Sequence, residues 1–294
     1  MKKRKGKSFR KAVSGVLALA SFALVFSGCG ASANPSAGAA GNSASSAKKP
    51  FKIALECAYA PYNWTQTDNS NQAVPIQDSS SYCNGYDIQI AKKIADKMGC
   101  ELQVFKTEWT SIPTAITSGK VDAGICGMTV TAERKKTLLF SNPYYTSKYV
   151  ALVKKSGKYG NAKSVADLKG AICTSQQSTS WYPLLSQIPN ANVQPALADV
   201  PTMLVSLTSG KCDMLSCDKP TAMAATRAYP QIQMIDFANG KGFKADAEQT
   251  HVCAAVAKGN TELKAKIDNA LKTINESERT KLMDWCVKNQ PSTT

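Results

Sequence analysis

The residues best able to do chemistry lie together in Gly127-Met-Thr-Val-Thr-Ala-Glu-Arg134. Gly127 and Thr129 can turn backbone N–H groups toward a bound anion. Arg134 adds a planar guanidinium fork that matches a carboxylate through two parallel hydrogen bonds. The stretch follows apolar residues 121–126, which read as a buried strand. Thr131 stands where the N-cap of a helix over 132–136 is expected. Arg134 then falls in the first helical turn, where the macrodipole favours an anion by ~0.3–1 kcal/mol. The plainer reading of the same residues is a capped helix with an exposed arginine.

Other elements must position this stretch. Residues 52–57 alternate like a first strand, and the aromatic turn Tyr59-Ala-Pro-Tyr-Asn-Trp64 follows. Residues 65–84 contain Pro75 and read as a long polar loop. Tyr86, Ile90, Ile94 and Met98 share one helix face, and Gly99 stops that helix. Residues 102–105 read as a second strand and 112–117 as a short helix. Ser118-Gly-Lys-Val-Asp122 then recurs as Ser209-Gly-Lys-Cys-Asp213. Each copy follows a short apolar helix and precedes a strand, so the chain is expected to hold two α/β units built alike. Alignment of the copies matches Cys126 with Cys217 and Gly127 with Asp218. Neither copy is a phosphate-binding P-loop, because the earlier Gly and the following Ser/Thr are missing. Ligands of open α/β sheets sit beyond the carboxyl ends of strands. Two facing units therefore place Gly127 and Asp218 on opposite walls of one cleft.

The chain has 294 residues and a formal net charge of +15. Seven of those charges stand in the first eleven residues, and the chain without residues 1–28 carries +8. An excess of this size without interleaved aromatic and basic residues is no argument for nucleic acid. Residues 12–26 are apolar, too few for a span of roughly 20, and behind a basic head they read as a secretory core. Residues 1–28 are thus expected to be a signal peptide. The run ends in Phe26-Ser-Gly-Cys29, which resembles the bacterial lipobox; Phe26 replaces its usual Leu. Cys29 is the expected lipidation site, and residues 29–49, rich in Ala, Ser, Gly and Asn, the expected flexible tether. Nine further Cys remain, an odd number, so at least one thiol is left unpaired or pairs between chains. Cys57, Cys126, Cys173, Cys217 and Cys253 lie in or beside apolar runs, where a Cys acts as a small hydrophobe. No C-x-x-C occurs and His251 is the one His, so no metal site and no cofactor are expected.

From residue 51 to about residue 288 the chain resembles the polar amino-acid-binding proteins of ABC importers, the bacterial extracellular solute-binding family 3. The resemblance rests on Tyr59-Ala-Pro-Tyr62, Asn84-Gly-Tyr-Asp-Ile-Gln-Ile-Ala91, Ser118-Gly-Lys-Val-Asp122, Gly127-Met-Thr-Val-Thr-Ala-Glu-Arg-Lys135 and Phe140-Ser-Asn-Pro-Tyr-Tyr145. It implies a two-lobed α/β clamp of the periplasmic-binding type II, with the chain crossing twice between lobes. The crossings are expected near Thr146 and His251. Residues 50–146 and 250–294 then form lobe 1, and residues 147–249 lobe 2.

The resemblance also assigns the site. A ligand carboxylate is expected on Arg134 and Thr129, with Ser178 or Thr179 from the second lobe. That lobe's motif, usually Gly-Thr-Thr, is represented by Thr174-Ser-Gln-Gln-Ser-Thr-Ser180, with Gln177 in place of the Gly. The ligand's amino group is expected on Asp218 and Gly127. Asp218 serves equally as the N-cap of a helix through Pro220 and Ala224. Glu56, Tyr59, Trp109 and Ser175 are expected to shape the side-chain pocket. A carboxylate among aromatics suits a cationic tip, and it can also accept from an amide. Glu56 pairing with a nearby Lys is the plainer alternative, and His251 reads as a hinge residue. The expected function is a lipid-anchored, monomeric receptor at the outer face of the cytoplasmic membrane. It would deliver a polar amino acid, arginine, lysine or histidine ahead of glutamine or cystine, to an ABC permease without catalysing a reaction. A dehydratase on the same fold, with Glu56 as general acid, is the rival reading, and a surface interaction module with no small ligand is a third.

Overall fold

In a computed structural model of the chain, residues 48–291 are described. The expected signal peptide, Cys29 and tether residues 29–47 lie outside them.

Two five-stranded sheets carry the fold. In the first the strands run in the order Glu101–Lys106, Pro50–Leu55, Ala123–Gly124, Ala255–Ala257, Leu138–Phe140. The first three are parallel, and Ala255–Ala257 is antiparallel to both of its neighbours. The second sheet runs Asn192–Val193, Ile172–Thr174, Met214–Asp218, Tyr149–Lys154, Ile232–Ile235. Again three strands are parallel, and the fourth, Tyr149–Lys154, is antiparallel to both neighbours. Each sheet thus has one topology, and its antiparallel strand is the one the chain enters from the other sheet. The central strand Met214–Asp218 is buried throughout, as expected of a strand covered on both faces.

The internal repeat explains itself in this frame. Gly119 and Gly210 take left-handed φ of +74° and +82° and end their helices without steric cost. Asp122 then accepts the N–H of Lys52 at 2.7 Å, and Asp213 accepts that of Ile172 at 3.0 Å. Each Asp thereby ties the strand that follows it to the parallel strand beside it.

The chain leaves the first sheet after Phe140 and returns before Ala255. Tyr145–Thr146 pairs antiparallel with His251–Val252, so the two crossings run side by side. His251 pairs with Thr146 in this ribbon. The C-terminal helix Glu276–Asn289 reaches across to the second unit, where Gln290 donates to the Ala224 carbonyl at 2.8 Å.

The helix Tyr86–Met98 forms as its spacing predicts, with Gly99 in the left-handed conformation. Two expectations need correction. Residues 65–84 are no plain loop: Asn63–Gln66, Val74–Pro75 and Tyr82–Asn84 join Ala58–Tyr59 in a four-stranded sheet. The helix expected over 132–136 is a single 3-10 turn, Arg134–Lys136, although Thr131 Oγ1 does accept the Arg134 N–H at 3.2 Å. All nine described Cys are free thiols, and eight of them are buried, so they pack as small apolar side chains. No described helix is long and apolar enough to cross a membrane.

Candidate ligand-binding site

The strands of both sheets deliver the site at their carboxyl ends. Glu56 follows Pro50–Leu55, Gly127 and Thr129 follow Ala123–Gly124, residues 175–180 follow Ile172–Thr174, and Asp218 closes Met214–Asp218. Between them is a cavity of about 10 Å³, lined by Glu56, Tyr59, Trp109, Gly127, Thr129 and Arg134 on one side and Gln176, Thr179, Ser180 and Trp181 on the other.

Arg134 is half-buried and lines the cavity. Nη1 donates to the Thr129 carbonyl at 2.6 Å, and Nη2 reaches the Ser178 carbonyl at 2.8 Å across the cleft. Its guanidinium carbon lies 4.9 Å from the centre of the Trp109 ring, a cation–π distance. Burial lowers its pKa to about 10, so the cation persists at neutral pH. Glu56 is 8% exposed. Desolvation, opposed by the Gln176 hydrogen bond and reinforced by Asp199 and Glu108, pushes its carboxyl up to about 7. The Gln176 amide donates to its two oxygens at 3.1 and 3.3 Å.

Asp218 stands behind this cavity. Its Oδ1 caps the helix Lys219–Ala228 by accepting the Thr221 N–H at 2.9 Å. Its Oδ2 accepts the Tyr59 hydroxyl at 2.5 Å. Both carboxylate oxygens are thus engaged, and burial raises its pKa. The capping role read from sequence is present.

Seven sequence-predicted residues meet at the cavity: Glu56, Tyr59, Trp109, Gly127, Thr129, Arg134 and Thr179. Three others do not line it. Ser175 is buried and donates to the Ser216 carbonyl at 2.8 Å, Ser178 is exposed and offers its carbonyl to Arg134, and Asp218 lies behind Tyr59. Gly127 needs restating too. Its N–H donates to the Tyr144 hydroxyl at 3.0 Å, so that donor is not bare toward an anion. Its φ of +65° and a Cβ position 2.2 Å from Tyr59 Cε1 explain why a glycine stands there.

Sequence reasoning missed Gln176, Ser180 and Trp181. Gln177 marked the departure from Gly-Thr-Thr, but Ser178 is the residue at positive φ, +56°. The turn is therefore one residue later, and Thr179-Ser180 follow it. Ser180 bonds the Thr129 hydroxyl at 3.0 Å and the Tyr149 hydroxyl at 2.8 Å. Four contacts thus close the cleft: Glu56–Gln176, Tyr59–Asp218, Arg134–Ser178 and Thr129–Ser180. Small-molecule pockets run to roughly 300–1,000 Å³, so this cavity can admit a small ligand only when these bonds part.

Residues 52–285 match the bacterial extracellular solute-binding proteins, family 3. The chain belongs to this family. It is 26% identical over 219 residues to the L-cystine-binding protein TcyJ of Escherichia coli, covering 74% of this chain and 75% of that one. It is 31% identical over 147 residues to the arginine-binding extracellular protein ArtP of Bacillus subtilis, covering 50% of this chain and only about half, 51%, of that relative. Among solved structures, an amino acid ABC transporter substrate-binding protein, AbpA, from Streptococcus pneumoniae bound to L-arginine aligns with a TM-score of 0.68 at 26% identity. That alignment covers 81% of this chain and 94% of AbpA. The two-lobed type II fold of this family accounts for the paired sheets and the double crossing.

Proposed function

We propose that this family 3 protein is the substrate-binding component of an ABC importer for a polar amino acid with a cationic side chain. The carrying observation is one cavity with Arg134 and Glu56 both in its lining, one cation and one buried acid. Arg134 takes the ligand carboxylate in place of its present carbonyl partners, helped by Thr129 and Thr179. Asp218 takes the ammonium once the Tyr59 hydroxyl yields. Glu56 meets the side-chain cation. It also forms part of the wall of a neighbouring cavity of about 500 Å³ lined by Glu108, Asp199 and Asp78 against the single cation Lys106, so acid charge predominates beyond its own carboxylate. Arginine, lysine and histidine are the ligands of choice.

Glutamine is the second reading, because Glu56 already accepts from a carboxamide, that of Gln176. Cystine is third, on the likeness to TcyJ. The protein works by closing, not by catalysis: a ligand bridging the walls shifts an open–closed equilibrium that the permease reads. The proposed lobes are residues 50–146 with 250–294, and residues 147–249, a division supported by the pairing of Tyr145–Thr146 with His251–Val252. The chain acts as a monomer tethered by lipid on Cys29 to the outer face of the cytoplasmic membrane. A calorimetric panel of arginine, lysine, histidine, glutamine and cystine tests the assignment. Binding of glutamine or cystine alone moves it to those ligands. Turnover of prephenate or arogenate makes the protein an enzyme instead.

A further inference from the structure

The carboxylate of Asp87 has no part in the site described above. It stands in the first turn of helix Tyr86–Met98 and is fully buried. Oδ2 accepts from Asn63 Nδ2 at 2.8 Å, and Oδ1 accepts the Tyr144 hydroxyl at 2.6 Å. The same Tyr144 oxygen accepts the N–H of Gly127 at 3.0 Å. Tyr144 is held at its other end as well, where its carbonyl accepts the Tyr86 hydroxyl at 2.8 Å. A phenol has one proton, and an ionised carboxylate only accepts. Asp87 therefore claims that proton, which leaves the phenol lone pairs for Gly127. Desolvation raises the Asp87 carboxyl to about 7; the bonds from Tyr144 and Asn63 and the nearby Gly127 N–H oppose that rise, and the Asp218 charge adds to it.

This relay ends at the wall of the ligand cleft. It fixes the plane of the peptide between Cys126 and Gly127, whose trans geometry turns the Cys126 carbonyl away from Tyr144. Gly127 in turn lies directly under the Tyr59 ring, with no space for a Cβ between them. Tyr59 then holds Asp218. We propose that Asp87 is a positioning residue for ligand binding: through Tyr144 it sets the Gly127 peptide, and so the seat of the Tyr59 ring. The inference rests on the amino-acid-binding reading of the cleft.

Two variants and two readouts test it. Cys-Gly occurs twice in the chain, at Cys29-Gly30 and Cys126-Gly127, so carbonyl-labelled Cys with nitrogen-labelled Gly gives at most two amide signals. One of them belongs to Gly127, and Gly30→Ala identifies it. That signal is expected to move in Tyr144→Phe, and to move again in Asp87→Asn with the tyrosine retained. Affinity for L-arginine is expected to fall about tenfold in each, roughly the worth of one hydrogen bond. The double variant should lose less than the sum of the two single ones, because both residues act on the same Gly127 peptide. An unmoved Gly127 signal in Asp87→Asn overturns the proposal. So does a lowered melting temperature with unchanged arginine affinity, which makes Asp87 a merely structural residue. If Asp87→Asn does not fold, the same two readouts on Tyr144→Phe decide. If the wild type binds neither L-arginine, L-glutamine nor L-cystine, the reading of the cleft fails, and the amide signal alone decides whether the relay exists.

Discussion

Glu56 makes the ligand's charge visible in a pH titration. Its carboxyl titrates at about 7 in the closed cleft, raised chiefly by desolvation. A cationic side chain binds the ionised form, so binding draws the carboxyl down and releases a proton. The sign follows: affinity is greatest above the raised pKa and falls as pH drops through it. With a pKa of about 7, the ionised fraction is about 0.9 at pH 8 and about 0.1 at pH 6, so arginine affinity should fall about tenfold over that interval. At pH 7 about half a proton should be released per ligand, measurable by calorimetry in buffers of different ionisation enthalpy. Glu56→Gln should weaken arginine by about 2 kcal/mol at pH 8, roughly thirtyfold, and flatten the pH dependence. Glutamine, with no charge to pair, should show little slope in either protein. A flat arginine profile in the wild type refutes the reasoning. A slope that persists in Glu56→Gln assigns the titration elsewhere, and Asp87 is the other buried carboxyl raised to about 7.

Three further outcomes are expected. Arg134→Lys keeps the charge but loses the fork that now spans the Thr129 and Ser178 carbonyls, and ligand affinity should drop at least about tenfold by calorimetry. Asp218→Ala should cost about 2 kcal/mol or more of binding, and by removing the Thr221 cap should lower stability by about 1 kcal/mol in thermal melts. Cys29→Ser should abolish labelling by a radiolabelled fatty acid and release the protein from membranes; retention without label refutes the anchor.

The fold was legible where local chemistry dictates it. Asp122 and Asp213 recur in the same five-residue context because each must accept an N–H from the parallel strand beside its own. Gly99 ends its helix because left-handed backbone suits glycine, and the four-residue spacing of Tyr86 to Met98 buries one face. Glu56, just past a strand end, and Arg134, on the turn Arg134–Lys136, were both picked out in the sequence and both line the cavity. What escaped depends on distant pairing. Gln176 meets Glu56 across 120 residues, and neither local propensity nor spacing encodes that contact. The turn at Ser178 was misplaced by one residue, because a serine at positive φ leaves no mark in sequence as a glycine does. Residues 65–84 hide short strands of two to four residues, too brief for alternation to show. The Arg134 turn closes with i→i+3 bonds; the capping threonine was visible, and its early end was not.

The central claim is that one cleft grips an amino acid by its carboxylate and its side-chain cation. Isothermal calorimetry of the mature chain against L-arginine and agmatine, which keeps the guanidinium and lacks the carboxylate, tests both grips in one measurement. L-Arginine should bind, and agmatine should bind at least about thirtyfold more weakly, the worth of the lost carboxylate contacts to Arg134. Equal affinities contradict the role given to Arg134, and no binding of arginine where leucine or alanine binds contradicts the role given to Glu56.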